Sequence, residues 1–163
     1  MVFADWTVGG LDGAEGVEVV LDAATKYAGN SSVRFRVRNT YHSKLTHNTF
    51  SKTQTQLILW VYTNVTTHQN ISANLASYGS RLMTVASNTT WEKHRVSFWY
   101  DTTTNTKWGR DERWVASAWV QIGTDTNFGS GSPAASALSL RTDGIVVGSS
   151  NNYTWFDEVE VYS

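Results

Sequence analysis

The chain has 163 residues, 40% of them hydrophobic and 17% charged, and a formal net charge of −1. This is the composition of one globular core, with no apolar run of the ~18–20 residues a membrane-spanning helix needs and no basic field to neutralise phosphates, so neither a membrane span nor a nucleic-acid partner is expected. The chain has no cysteine, which excludes disulfides, thiol nucleophiles and zinc–cysteine sites.

Period-2 alternation recurs along the whole chain without a helical stripe, so the elements are predicted to be strands. In chain order they fall at Val2–Trp6, Val17–Asp22, Ser32–Arg38, Gln54–Thr63, Ile71–Ala76, Arg81–Ala86, Trp91–Tyr100, Trp114–Gly123, Ala137–Arg141 and Tyr153–Tyr162, with Gly144–Val147 as a weaker candidate. Polar turns separate them, among them Gly9-Gly10, Gly29-Asn30, Tyr78-Gly79-Ser80 and Ser149 to Asn152. Asp101–Arg113 and Thr124–Ala135 read as long loops. About ten short strands in a single domain over residues 1–163 predict a β-sandwich or barrel. Nothing resembling a signal peptide precedes the first strand, which suggests a module of a larger protein or a viral surface protein.

The alternation divides each strand into two faces. Val33, Phe35 and Val37 oppose Arg34, Arg36 and Arg38; Leu57, Leu59 and Val61 oppose Gln56, Ile58, Trp60 and Tyr62; Val96 and Phe98 oppose Arg95, Ser97 and Trp99. Ala116, Ala118, Val120 and Ile122 oppose Ser117, Trp119 and Gln121, which puts Trp114 in the core phase. Two outward surfaces are expected: an arginine ladder, either neutralised by Glu18, Asp22, Glu158 and Glu160 or open to an acidic ligand, and a separate one of tryptophan with glutamine, serine and tyrosine. Eight tryptophans exceed what one core of this size needs, and exposed large aromatics mark binding surfaces.

Four passages carry a family resemblance: Lys26 to Phe35, Leu57 to Thr63, Thr89 to Arg95, and the closing Trp155-Phe156-Asp157-Glu158-Val159-Glu160-Val161-Tyr162. In order and spacing they resemble carbohydrate-binding modules of families 4, 9 and 22, within the wider galactose-binding-like jelly rolls. The resemblance implies an all-β jelly-roll sandwich of two antiparallel sheets that binds an oligo- or polysaccharide and carries out no chemistry. It implies a location outside the cell, or on a virion or cell surface. Trp60 matches the family's ligand-facing tryptophan. Trp119 and Trp99 are the further candidate platforms, accompanied by Gln56, Tyr62, Gln121 and Arg95, with Tyr41, His42, Trp108 and Trp114 as candidate rim residues and Trp91 and Trp155 assigned to the core. A structural calcium ion is implied at Asp157, Asp5 and the Gly29 carbonyl, against the alternative that Asp157 makes turn or cap hydrogen bonds.

The alternative to a binding module is a viral or cell-surface attachment domain that uses the same sandwich for assembly or host-glycan recognition. A glycoside hydrolase or lyase is the weakest reading. Glu158 and Glu160 are expected to face away from the tryptophans, and adjacent Asp111 and Glu112 are expected in solvent. His42, His47, His68 and His94 lack ligand spacing and are expected at the surface. Sequons at Asn30, Asn64, Asn70, Asn88 and Asn152 follow mainly from the Ser/Thr-rich composition.

Overall fold

A strand that is apolar at every second position has one face to bury, and two such sheets can cover each other. The computed structural model describes residues 6–9, 18–37, 42–50, 54–64, 69–86, 89–134, 136–144 and 152–162. These form two antiparallel sheets and no helix. The first has the order β1 (Trp6–Gly9), β4 (His42–Phe50), β12 (Ser136–Gly144), β6 (Gln69–Leu75), β7 (Gly79–Met83). The second runs β10 (Ala118–Gln121), β9 (Thr106–Val115), β8 (Glu92–Asp101), β5 (Gln54–Thr63), β13 (Asn152–Tyr162), β3 (Ser32–Val37), β2 (Glu18–Asp22). β11 (Thr126–Ser130) pairs with the first half of β9 and β10 with the second. The architecture is the expected jelly-roll sandwich.

Between the sheets lie Phe35, Leu57, Leu59, Val61, Val96 and Phe98, which alternation assigned inward, with Phe156 also from the larger sheet and Leu45, Ile71, Ala73, Leu75, Leu138 and Leu140 from the smaller. Fully burying one such side chain contributes roughly 1.5–3 kcal/mol. Ala116, Ala118 and Val120, also assigned inward, are instead exposed on the β9–β10 hairpin.

Val2–Asp5 lie outside the described residues, within which the first strand begins at Trp6. Four other segments differ from expectation. His42–Phe50, not read as a strand, pairs with both β1 and β12. Asp101–Arg113 is the arm of a hairpin rather than a loop. Asp101 accepts from Thr103 N at 2.9 Å and Thr104 Oγ1 at 2.7 Å, closing the turn, and β9 runs back along β8 from Thr106. Trp114–Gly123 is a second hairpin, turned at Ala116 (φ 48°) and Ser117 (φ 68°), two left-handed residues of the kind a two-residue type I′ turn uses.

The stretch read as a Gly/Ser loop holds β11, whose Phe128 stacks on Phe98 with ring centroids 6.0 Å apart. Phe128 lies against two glycines. A Cβ on Gly109 would stand 2.5 Å from its Cε2, and one on Gly79 would stand 2.6 Å from its Cδ1. Overpacking of this kind costs about 1–3 kcal/mol. Gly109→Ala is therefore expected to lower the melting temperature by roughly 3–10 °C, measured by circular dichroism. An unchanged melting point would show that the ring yields freely.

Candidate functional site

Directly opposed residues of antiparallel neighbours project to the same side of a sheet. Across the larger sheet, Gln56 opposes Ser97, which opposes Arg110; Ile58 opposes Arg95, which opposes Glu112; Trp60 opposes Lys93. Trp99 opposes Trp108, Glu112 opposes Gln121, and Trp114 opposes Trp119. On the other side of β5, Asp157 opposes Trp60, and Trp155 opposes both Tyr62 and Arg34. All seven sequence-derived ligand residues, Gln56, Trp60, Tyr62, Arg95, Trp99, Trp119 and Gln121, thus project from one outer face. So do Arg34 and Arg36. The two surfaces expected to be separate are one, because β13 inserts between β5 and β3. Glu160, opposite Ile58, shares that face, which corrects the expectation that it points away from the tryptophans.

An open hollow of about 420 Å³ lies on this face, lined by Gln56, Arg95, Ser97, Trp99, Arg110 and Glu112. Its polar groups are held before any ligand arrives. Arg95 donates through Nε and Nη2 to the two oxygens of Glu112, at 2.7 Å each. Arg110 does the same to Asp125 at 2.8 and 2.7 Å, and Gln121 Nε2 adds a 3.0 Å bond to Asp125. The bonds from the Arg110 guanidinium hold the Asp125 carboxyl below the usual carboxylate range. Gln56 Nε2 donates to Ser97 Oγ at 3.2 Å. Each guanidinium also covers an indole, Arg95 Cζ 4.6 Å from the Trp119 centroid and Arg110 Cζ 5.4 Å from that of Trp99. Trp99 is stacked beside Trp108 at 15°. Charges cancel in pairs, and each guanidinium keeps its Nη1 to donate elsewhere.

Toward β3 the face is a row of touching rings. Tyr27 stacks on Trp60 at 3.7 Å and 17°, so one face of the Trp60 indole is covered by a side chain that is itself 45% exposed. Trp91 packs on Tyr27 and Tyr62, Tyr62 on Trp155, and Trp155 on Tyr153. Trp155 Nε1 donates to Asp22 Oδ2 at 2.9 Å, and Asp22 also pairs with Arg34. Lys93 Nζ sits 5.9 Å from the rings of both Trp60 and Trp119, linking this row to the hollow.

Ser97, Arg110, Glu112 and Tyr27 were not among the ligand candidates. Arg110 and Glu112 fell in the segment read as a loop, and Tyr27 lies in a turn, where parity gives no signal. Trp114, placed in the core phase, is 43% exposed and meets Trp119 edge-on at 5.1 Å. Trp155, assigned to the core, is 7% exposed but belongs to the outer face, and Trp91 is half-buried in the ring row. Asp111 and Glu112 are both buried, on opposite faces of β9, rather than in solvent. His94 is fully buried rather than at the surface. Tyr41 and His68 lie outside the described residues, as does the side chain of His42.

The residues named for calcium are partly brought together. Asp157, fully buried, accepts from the backbone N–H groups of Tyr27 (2.9 Å) and Ala28 (3.1 Å) through Oδ2, and from Glu158 (2.8 Å) through Oδ1. Gly29 follows in the same loop with φ 67°, and Asp5 lies outside the described residues. Calcium takes six to eight oxygens. Among the described residues no group of three or more metal-ligating side chains occurs, and Oδ2 is already filled by two donors. The described donor set does not fit the ion.

No protein-family profile matches the chain, and no curated protein sequence matches it. Solved structures do match in fold. The structure titled "Cellulose induced protein, Cip1" is 13% identical and superposes with a TM-score of 0.62, covering 100% of this chain and 93% of that one. A legume lectin-like domain from Entamoeba histolytica is 8% identical, with a TM-score of 0.55 and coverage of 98% and 90%. At these identities the likeness is one of fold.

Proposed function

We propose that the chain binds an oligo- or polysaccharide across the outer face of its larger sheet and leaves it chemically unchanged. The observation that supports this reading is the hollow beside Trp99, where an indole and pre-bonded Arg95, Arg110, Glu112, Gln56 and Ser97 share one open surface. A pyranose has an apolar C–H face that an indole can cover and a rim of hydroxyls that both donate and accept. Two platforms at roughly 2–3 kcal/mol each, with a few hydrogen bonds and an association cost of at least ~4 kcal/mol, give micromolar to millimolar affinity. Resemblance to carbohydrate-binding modules at the four quoted passages supports the same reading, as does a fold shared with a lectin-like domain. Such a ligand sets the protein outside the cell, or on a virion or cell surface.

Glu112 in the hollow and Asp125 behind Arg110 are poorly suited to glycoside hydrolysis, which needs one protonated acid and one free carboxylate. Glu112 and Asp125 are each engaged by a guanidinium on both oxygens. The test is a glycan array followed by affinity electrophoresis, with reducing ends assayed in the same mixtures. Retention on at least one glycan without new reducing ends is expected; release of sugar would replace this reading with an enzymatic one, and no retention on any glycan would remove it.

A second reading, an assembly or attachment module, is favoured by the β9–β10 hairpin, where Trp114, Val115 and Val120 are each more than 40% exposed. Size exclusion with light scattering separates the two: a stable oligomer supports assembly, and a glycan-retained monomer supports the binding module.

A further inference from the structure

We propose that His94, buried between the sheets, is held as an imidazolium between Asp111 and Glu92, and that this cation is a latch beneath the binding face which loosens when it is discharged. The imidazole has no exposed surface. Its Nδ1 lies 2.9 Å from Asp111 Oδ1, and its Nε2 lies 3.5 Å from Glu92 Oε2, too long for a good hydrogen bond but close for an ion pair. Arg113 Nη1 reaches the same Glu92 oxygen at 3.1 Å. Among the described residues, the charged groups that meet the ring or its partners are Glu92 on β8 and Asp111 and Arg113 on β9, and the described part of the segment after β7 brings backbone donors. Thr84 N donates to Asp111 Oδ2 at 3.2 Å, and Ala86 N to Glu92 Oε1 at 3.0 Å. With a neutral histidine the described residues of this pocket set two carboxylates against one guanidinium. With an imidazolium the charges balance, and a balanced buried cluster avoids the cost of an unpaired charge. Burial by itself lowers the His94 pKa, but the hydrogen bond to Asp111 and the nearby Glu92 outweigh it, and the net direction is upward.

The latch is placed to act on the hollow. Lys93 and Arg95 flank His94 on β8, and Arg110 and Glu112 flank Asp111 on β9; all four point to the opposite, outer face. The His94–Asp111 bond ties the two strands that floor the hollow, and the carboxylates tie both to the Thr84–Ala86 segment. His94 is a positioning residue here, since it faces away from any outer-face ligand. A histidine whose folded pKa is raised stabilises the fold fully below its unfolded value of ~6.5, and that contribution is lost as pH rises through the folded pKa.

The effect on saccharide affinity rests on the proposed function; the charge state of His94 does not. The experiment therefore has three arms on the whole chain. Imidazole nitrogen NMR of the wild-type protein is expected to show His94 protonated on both nitrogens at pH 6, with a midpoint raised above the ordinary histidine value of ~6.5. A neutral ring at pH 6 overturns the proposal without any variant having to fold. Thermal melting between pH 6 and 9 is expected to fall more steeply for wild type than for His94→Gln; parallel slopes overturn the latch. Affinity for the glycan retained on the array is expected to weaken several-fold from pH 6 to 9 in wild type and to stay level in His94→Gln; a level wild type overturns the coupling to the hollow. If the first two arms hold and no glycan is retained at any pH, the saccharide reading fails and the latch stands.

Discussion

Asp157→Ala is expected to lower the melting temperature by roughly 6–15 °C. The carboxylate is fully buried and accepts three backbone N–H groups, those of Tyr27, Ala28 and Glu158. A buried donor left without a partner costs about 1–3 kcal/mol, and partial rehydration of the loop brings the sum to about 3–5 kcal/mol. In a domain of this size each kcal/mol moves the midpoint by about 2–4 °C. The same bonds hold the loop that lays Tyr27 on Trp60, so near-ultraviolet circular dichroism from the stacked rings should fade as well. Asp157→Asn keeps one acceptor oxygen and should recover about half the loss. Because backbone donors already occupy the carboxylate, EGTA is expected to leave the wild-type melting point unchanged. A loss under ~2 °C for the alanine variant would show that the clamp contributes little, and a chelator-sensitive wild type would show that an ion, rather than the backbone, is the partner that counts.

Trp99→Ala should weaken glycan retention by about 30–100-fold while shifting the melting point by no more than a few degrees. Loss of one half-covered indole platform removes roughly 2–3 kcal/mol of contact, and each 1.4 kcal/mol is a factor of ten. The ring is half-buried on the outer face, stacked beside Trp108 and under Arg110, so its removal leaves the core between the sheets untouched. Isothermal titration of the variant checks the affinity, and differential scanning calorimetry checks the fold. Trp60→Ala is the contrasting case: Tyr27 rests on that indole, so affinity and melting temperature are expected to fall together. Full affinity in Trp99→Ala would move the site away from the hollow.

The strands with clean alternation, such as Gln54–Thr63, were legible because burial follows parity one residue at a time. Where charge replaced apolar residues the signal vanished. β9 carries Asp111 and Arg113 on its inward face, acceptable there only because His94 and Glu92 on β8 meet them, and a sequence read locally cannot see that partner. Trp114 was misplaced for a related reason. A two-residue turn at Ala116–Ser117 reverses the phase of the chain, so Trp114 and Trp119, of opposite parity, come to oppose each other on one face.

The sequence by itself determined an all-β sandwich, the inward residues of its regular strands and the aromatic-rich character of its outer face, because parity and composition are local properties. Tertiary structure alone decided that the arginine ladder and the tryptophans share a surface, that Arg110 and Glu112 join Trp99 around one hollow, and that Tyr27 covers Trp60. Those relations depend on which strands lie side by side, and strand order is set by the packing of the whole sheet rather than by any one segment.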